Sequence, residues 1–440
     1  MARTTQASPF FPGKPVPPKH FVGRSMEIAA AFDQINNRSH MAIWGGPGLG
    51  KSSFLELLTS PQVWKEHGLE SDLSQAVIVL LSCESINPFT SSGFWQEVLS
   101  CLKDELESEP ALQTEIQSFL DKGQTTKESL RQILRKLGKK HNKFLVLLVD
   151  DYHIALIPNQ QYSEPDMEVF LSECRNLAVH SQERQYLSMI VTSLKRLSEL
   201  GMKLNPNASP WYNHYLFQPL KPFSDQEVDQ LIIKVLNIDI QAAQTFKPVI
   251  LAIAAGHPGL LQIVGSLLFR KLRTGELPNE EAIIKEVEST TKQIFQNIWD
   301  RCSEQEQTLL MLLALFNLKG RLHKKVKFDL SGIDLIFTQK ERDFSNLEEQ
   351  GIVVSVEKEG KRVYSLASSI MQQWIIQEIW NTDNDLLHKR QHVFINLMSR
   401  EQVEKVTNAI NWLWKHKDEV PSNVEWIVKV IAALPSGLIL

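Results

Sequence analysis

The sequence predicts an α/β fold: a parallel-sheet domain, followed by an all-helical region, a winged helix and a C-terminal helical segment. Three observations carry this. Over the first half, short continuous apolar runs alternate with amphipathic stretches, the mark of parallel strands covered by helices on both faces. After Leu220 the apolar periodicity becomes wholly helical. Between Ser303 and Ala367, helices are followed by two β-prone stretches around a turn.

Taken in order, residues 1–20 ("MARTTQASPFFPGKPVPPKH") are rich in proline and small polar residues and read as a flexible arm. Residues 21–220 hold five apolar runs: "MAIW", "AVIVLLS" (Ala76 to Ser82), "FLVLLVDD" (Phe144 to Asp151), "LSMIVTS" (Leu187 to Ser193) and "HYLFQPL" (His214 to Leu220). Helical patterns lie between them at Phe94 to Glu107, Lys127 to Lys139 and Met167 to Gln182. Residues 221–300 read as helices at Asp225 to Leu236, Gln241 to Ala255, Pro258 to Leu272 and Glu280 to Trp299. In residues 301–380, Ser303 with Glu306 three positions on is a capping-box signature before "TLLMLLALF". A short helix near Ile333, a helix Lys340 to Gln350 and the strands "GIVVSVE" and "RVYSLA" around "KEGK" then spell a winged helix. Residues 381–440 read as helical, with Trp412, Trp414 and Trp426.

The strongest chemical signal is "IWGGPGLGKSS", Ile43 to Ser53. Gly45, four residues, then Gly50, Lys51 and Ser52 match the G-x-x-x-x-G-K-[ST] spacing of a phosphate loop. The glycines let successive backbone N–H groups turn inward on an anion, and the helix starting near Lys51 adds its positive dipole end. Residues 21–220 are therefore expected to be a P-loop NTPase domain. Gly45, Gly46, Pro47, Gly48, Leu49, Gly50, Lys51, Ser52 and Ser53 would line the phosphates of ATP or ADP. Lys51 would reach the β- and γ-phosphates, and Ser52 would join the shell of Mg²⁺.

The run "FLVLLV" ends in Asp150 and Asp151, and ligands in open parallel sheets collect at the carboxyl ends of strands. Phosphoryl-transfer chemistry needs a carboxylate for Mg²⁺ and often a second for the attacking water. Asp150 is assigned to the metal with Ser52, and Asp151 to the water. Paired acids after a strand also serve as a turn or helix cap. Thr192, at the end of the fourth run, would contact the γ-phosphate or the water, although a strand-ending threonine equally serves structure.

Composition narrows the setting. The chain of 440 residues allows about two to four domains, and 43% hydrophobic residues suffice for packed cores. A net charge of −4 speaks against a basic nucleic-acid coat. The four cysteines lie far apart, without metal or disulfide spacing, which fits a reducing cytoplasm. No segment has the apolar length of a signal core or membrane span, so a membrane partner is not expected.

With these motifs placed, the chain from about residue 17 to 380 resembles the STAND branch of AAA+-related signalling ATPases and the archaeal and origin-recognition ATPases near it. "FVGRSMEI" (Phe21 to Ile28) resembles the family's F-V-G-R-x-x-E-h stretch, "LLVDD" its second acidic motif, "PLKPFSDQEV" the start of its helical lid, and "AAGHPGLLQIVG" the lid's G-x-P motif. The resemblance implies that the backbone at Val22 and Gly23 approaches the adenine and that Pro258 packs against its ring. Two departures stand out. "TSLKR" places the post-strand arginine at Arg196, and "YSLASSIMQQW" lacks the winged-helix histidine with which some members hold ADP.

The leading expectation is a regulatory ATPase, closed with ADP and open with ATP, with slow hydrolysis as reset. Self-association or a protein effector in trans would be its output. The alternative is a DNA-associated loader or remodeller that uses its winged helix on duplex. Its second helix, "KERDFSNLEEQ", carries Lys340 and Arg342 against four acids, which makes DNA the less favoured partner. "HKKVK" (His323 to Lys327) and Lys358, Lys361 and Arg362 in the ribbon support it. A non-hydrolysing scaffold is disfavoured by Lys51, Ser52, Asp150 and Asp151 together.

Overall fold

The computed structural model describes residues 8–201, 209–236, 247, 250–274, 280–318, 329–358, 360–381, 392–394, 396–421 and 425. The chain forms two compact units. One comprises Pro15–Gly45 and Gly50–Leu220; the other comprises Met1–Lys14, Gly46–Leu49 and Lys221–Leu440.

The first unit is built on five parallel strands: β1 (His40–Trp44), β2 (Ala76–Ser82), β3 (Phe144–Asp150), β4 (Leu187–Ser193) and β5 (Tyr215–Pro219), in the order β2-β3-β4-β1-β5. Every residue of β1, β3 and β4 is buried, which is why these read as unbroken apolar runs. The edge strand β2 instead alternates, with Leu80 exposed. Eight helices accompany the sheet: α1 (Ser25–Asn36), α2 (Lys51–Leu58), α3 (Pro61–Glu66), α4 (Glu70–Gln75), α5 (Ser91–Asp104), α6 (Pro110–Asp121), α7 (Lys127–His141) and α8 (Glu164–Arg175). Side chains of α5, α7 and α8 join those of β2, β3 and β4 in one core, where Phe94 packs edge-on against Trp95 and Phe170 at 5.0 Å. The Thr126 hydroxyl caps α7 by accepting from Ser129 N, and Asn142 ends it in the left-handed conformation.

The helix expected over Met167 to Gln182 runs as α-helix to Arg175 and continues as one π-helical turn, Asn176–His180. There the Ala178 carbonyl meets a side chain instead of a helical N–H: His40 Nδ1 accepts from Met189 N at 3.1 Å, so the ring proton sits on Nε2, 3.3 Å from Ala178 O. Glu183, just beyond, is buried but held between Arg131 and Arg135 at 2.9 and 2.7 Å, which offsets its desolvation.

Within the described part of the expected flexible arm, Phe10 is buried while Ser8 and residues 12–15 are exposed. In the first unit, Val16 N donates to Ser53 Oγ at 2.9 Å. In the second, Phe10 is buried against Gly265, where a Cβ would lie 2.1 Å from its ring, and Phe11 N donates to Gln262 Oε1 at 2.9 Å. Two adjacent phenylalanines give this otherwise polar segment enough apolar surface to bury.

The second unit contains α9 (Asp225–Leu236), α10 (Pro258–Thr274), α11 (Glu280–Arg301), α12 (Glu304–Leu318), α13 (Asp334–Gln339), α14 (Glu341–Glu349), the antiparallel pair β6 (Val353–Lys358) and β7 (Lys361–Leu366), α15 (Ser369–Asn381) and α16 (Arg400–Lys415). Ser303 and Glu306 form the expected reciprocal cap, at 2.8 and 3.2 Å, and α12 is buried almost all round. α14 and the ribbon make the winged helix, with Phe344 stacked on Tyr364 at 4.4 Å. Most of the helix expected at 241–255, the basic run His323 to Lys327 and Trp426 lie outside the described residues.

The imidazoles of buried His40 and partly buried His214 lie 5.6 Å apart, edge to face. Burial lowers their pKa values from 6.5 to about 4 and about 3, and the neighbouring His40 contributes to the shift at His214. Because these native values lie below the unfolded ones, the unfolded chain takes up protons that the native state refuses as pH falls through 6.5 toward 4. Stability is therefore complete above 6.5 and is lost below it. The slope should approach about 2.7 kcal/mol per pH unit for two such groups. Urea unfolding near pH 7 and near pH 5 measures this, and His214→Phe should roughly halve the dependence.

Candidate functional site

In the first unit the sheet order places β4 between β1 and β3, so the carboxyl ends of these three strands lie side by side. Register brings Trp44 level with Ser193, and Ser82 level with Asp150. β1 therefore delivers the glycine loop, β3 the acids and β4 Thr192 to one end of the sheet.

The loop leaves β1 with Gly45 N donating to Ser193 O at 3.3 Å. Gly48 and Gly50 take φ of +76° and +91°, the left-handed conformation that glycine adopts without strain. α2 begins at Lys51, and Phe54 N closes its first turn on Gly50 O at 2.9 Å. Lys51 is buried, with Nζ donating to the Gly45 carbonyl at 2.7 Å. Its ammonium is thus held at the loop it would serve. Ser52 is partly exposed. Ser53 Oγ accepts from Val16 N, which leaves its hydroxyl proton and its backbone N–H as donors.

Asp150 is buried at the end of β3. Its Oδ1 accepts from the Thr192 hydroxyl and from Asp151 N, the latter at 3.1 Å, which leaves Oδ2 for a further partner. Asp151 follows in the left-handed conformation, φ 52°, so its side chain departs from the line of the strand. Its Oδ2 accepts from Ser82 Oγ at 3.2 Å, and its Oδ1 lies 4.0 Å from His153 Nδ1. Burial, with Asp150's charge, raises the Asp151 pKa, while the Lys51 ammonium opposes the shift. A half-buried carboxylate with a raised pKa and a nearby cation is suited to handling a water proton.

Thr192 fills the structural one of its two expected roles. It is fully buried, gives its hydroxyl proton to Asp150 and accepts from Asp151 N at 3.2 Å. Through these bonds Thr192 sets the two acids. Arg196 lies 5.1 Å above the Trp44 ring. Ser82 and His153 were missed from sequence: only the register of β2 against β3 reveals the first, and the "DDYH" run was the only signal of the second.

Val22, buried, and Gly23, φ +75°, precede α1 in the same unit as Lys51 and the acids. Gly46, Pro47, Gly48 and Leu49 belong to the second unit, as does Pro258, the first residue of α10. Within that unit, His257 Nε2 lies 3.1 Å from Pro47 O, and Gly259 N donates to Gly48 O at 2.9 Å. A Cβ on Gly46 would lie 2.5 Å from Gln350 O, so the backbone after α14 packs directly on the loop.

Residues 34–200 match the family model described as an AAA domain. No curated protein matches the chain. Among solved structures, the Walker-type ATPase PABY2304 of Pyrococcus abyssi is similar over 85% of this chain and 99% of its own, at 15% identity and a TM-score of 0.53. The Aeropyrum pernix ORC2 protein, in its ADPNP–ADP complexes, aligns over 92% and 96% at 12% identity and a TM-score of 0.49. A chain of Drosophila ORC bound to DNA aligns over 86% and 96% at 14% identity and a TM-score of 0.41. At these identities the likeness to the Pyrococcus ATPase is one of fold. Together with the phosphate loop and paired acids, the family match makes residues 34–200 an AAA-type P-loop domain that binds and hydrolyses ATP.

Proposed function

We propose that this chain is a nucleotide-switched ATPase in which Gly46–Leu49 and the C-terminal half act as one body until the nucleotide changes. The observation that carries the reading is the membership of Gly46–Leu49 in the unit formed by Lys221–Leu440. Gly46 abuts Gln350, and Leu49 lies against Gly351, where a Cβ would come within 3.3 Å of it. A phosphate arriving at the loop therefore acts on backbone that the winged helix touches. A ligand shifts such an equilibrium only by its differential affinity for the two states, and the γ-phosphate is the group by which ATP and ADP differ.

Mg²⁺ would be held by Ser52, Asp150 and the phosphates. Among the described residues no cluster of three or more His, Cys, Asp or Glu suits a metal, and one carboxylate with a hydroxyl, phosphates and water is the usual habit of magnesium. Asp151 would take the proton of the attacking water, held in place by Ser82, while Thr192 keeps both acids in register. Val22 and Gly23 are the proposed adenine contacts of the unit that carries Lys51.

Two outputs are distinguishable. STAND-like signalling, by self-association or an effector in trans, rests on sequence motifs alone. Contact with duplex DNA has a structural feature in its favour: Lys358, Lys361 and Arg362 are all exposed at the tip of the β6–β7 ribbon. α14 argues against a helix-led contact, because its exposed Glu341 pairs with Arg362 at 3.2 Å and no net positive face remains. A DNA partner would therefore be met by the wing. Duplex is the first partner to test.

Asp151→Asn should bind MgATP within a fewfold of wild type and hydrolyse it about a hundredfold or more slowly, the scale of a lost general base. Calorimetry and phosphate release measure the two; hydrolysis at the wild-type rate would remove Asp151 from the mechanism. For the output, anisotropy of a labelled duplex is titrated against salt with MgATP and with MgADP. Wing-led contact predicts that replacing Lys358, Lys361 and Arg362 with alanine reduces the log–log salt slope by about 2 to 3. If neither nucleotide supports duplex binding and Asp151→Asn accumulates oligomers with MgATP by mass photometry, the signalling output stands instead.

A further inference from the structure

The phosphate loop has a second edge. Turning its N–H groups toward an anion turns its carbonyls the other way, and those carbonyls also need partners. Pro47 O and Gly48 O find theirs at the start of α10.

His257 makes this junction. It is buried, and it follows Ala255 and Gly256, both left-handed at φ 44° and 81°. Gly256 has no room for a side chain, since a Cβ would lie 2.3 Å from Phe223 O. The turn aims the imidazole at the loop while keeping it at the cap position of α10. Nδ1 accepts from Leu260 N at 3.4 Å, and a nitrogen that accepts carries no proton. The proton therefore sits on Nε2, which donates to Pro47 O at 3.1 Å. The neighbouring helix N–H, from Gly259, donates to Gly48 O at 2.9 Å. The approach is close: a Cβ on Gly48 would lie 2.8 Å from His257 Cε1, and one on Gly259 3.2 Å from Gly48 O.

We infer that His257 is a positioning residue for the nucleotide: its neutral imidazole holds the carbonyl edge of the phosphate loop in the conformation whose N–H edge fits phosphates, and so ties α10 to nucleotide occupancy. The inference rests on the phosphate-loop reading above. It differs from the expected role of the adjacent Pro258, which concerns the adenine ring. A helix cap alone would need only Nδ1; the second bond, to Pro47, is what a positioning role requires.

Two substitutions separate the bonds. In His257→Asn, Oδ1 can keep the cap on Leu260 N, but the side chain is too short to reach Pro47 O. In His257→Gln, the amide nitrogen falls where Nε2 was and can still donate to Pro47 O, while the cap is lost. The probe is N-methylanthraniloyl-ADP, with release followed by stopped-flow fluorescence and Tm measured in parallel. Release from His257→Asn should be about three- to tenfold faster than wild type, the scale of one hydrogen bond, and from His257→Gln close to wild type, whatever the order of their Tm values. The inference is overturned if both variants release like wild type, or if His257→Gln releases as fast as His257→Asn. Lys51→Ala is the control: if it retains the probe as wild type does, the phosphate-loop reading fails and this inference with it.

Discussion

A loop that binds phosphate through its backbone must send its amide hydrogens to one side, and the carbonyls this exposes on the other side have to be met by protein. Most of what is distinctive here follows from that constraint. Gly48 and Gly50 supply the left-handed turns. Lys51 returns its ammonium to the Gly45 carbonyl, and Pro47 and Gly48 give theirs to residues far along the chain.

The sheet solves a related problem. Two carboxylates side by side at the end of β3 repel one another, and burial raises the cost of keeping both ionised. Inserting β4 between β1 and β3 places Thr192 where one hydroxyl donates to Asp150 and accepts from Asp151 N. Ser82, from the other flank, takes Asp151 Oδ2. The acids are thereby given different surroundings: Asp150 is buried and bonded at Oδ1, and Asp151 is turned out by its left-handed backbone with its pKa raised. Different environments for adjacent acids permit different roles, one toward a cation and the other toward a proton.

Local features were legible in the sequence where chemistry and spacing act within a few residues. The buried strands announced themselves as unbroken apolar runs; the Ser303–Glu306 cap and the β6–β7 ribbon were likewise visible. The phosphate loop was legible because its function demands a fixed spacing. Features that depend on which strands become neighbours were not. The sequence leaves the role of Thr192 open between a contact to phosphate or water and structure, because it gives a place at a strand end but not the strand beside it. The change from α- to π-helical winding at Asn176–His180 was not legible, because the Ala178 carbonyl there meets His40, from a distant strand. The arm was expected to be unpacked because two phenylalanines weigh little in a composition, yet Phe10 finds a glycine notch on α10. His257 lay inside a quoted motif, but its reach to Pro47 needs three-dimensional proximity.

The central claim is that phosphate occupancy is felt at the start of α10 through the carbonyl edge of the loop. Hydrogen–deuterium exchange at the amides of Gly259 and Leu260, which donate to Gly48 O and His257 Nδ1, tests it most directly. With saturating MgADP these two amides should exchange several-fold more slowly than without nucleotide, alongside those of the phosphate loop. Protection of the loop amides with no change at Gly259 and Leu260 would contradict the account.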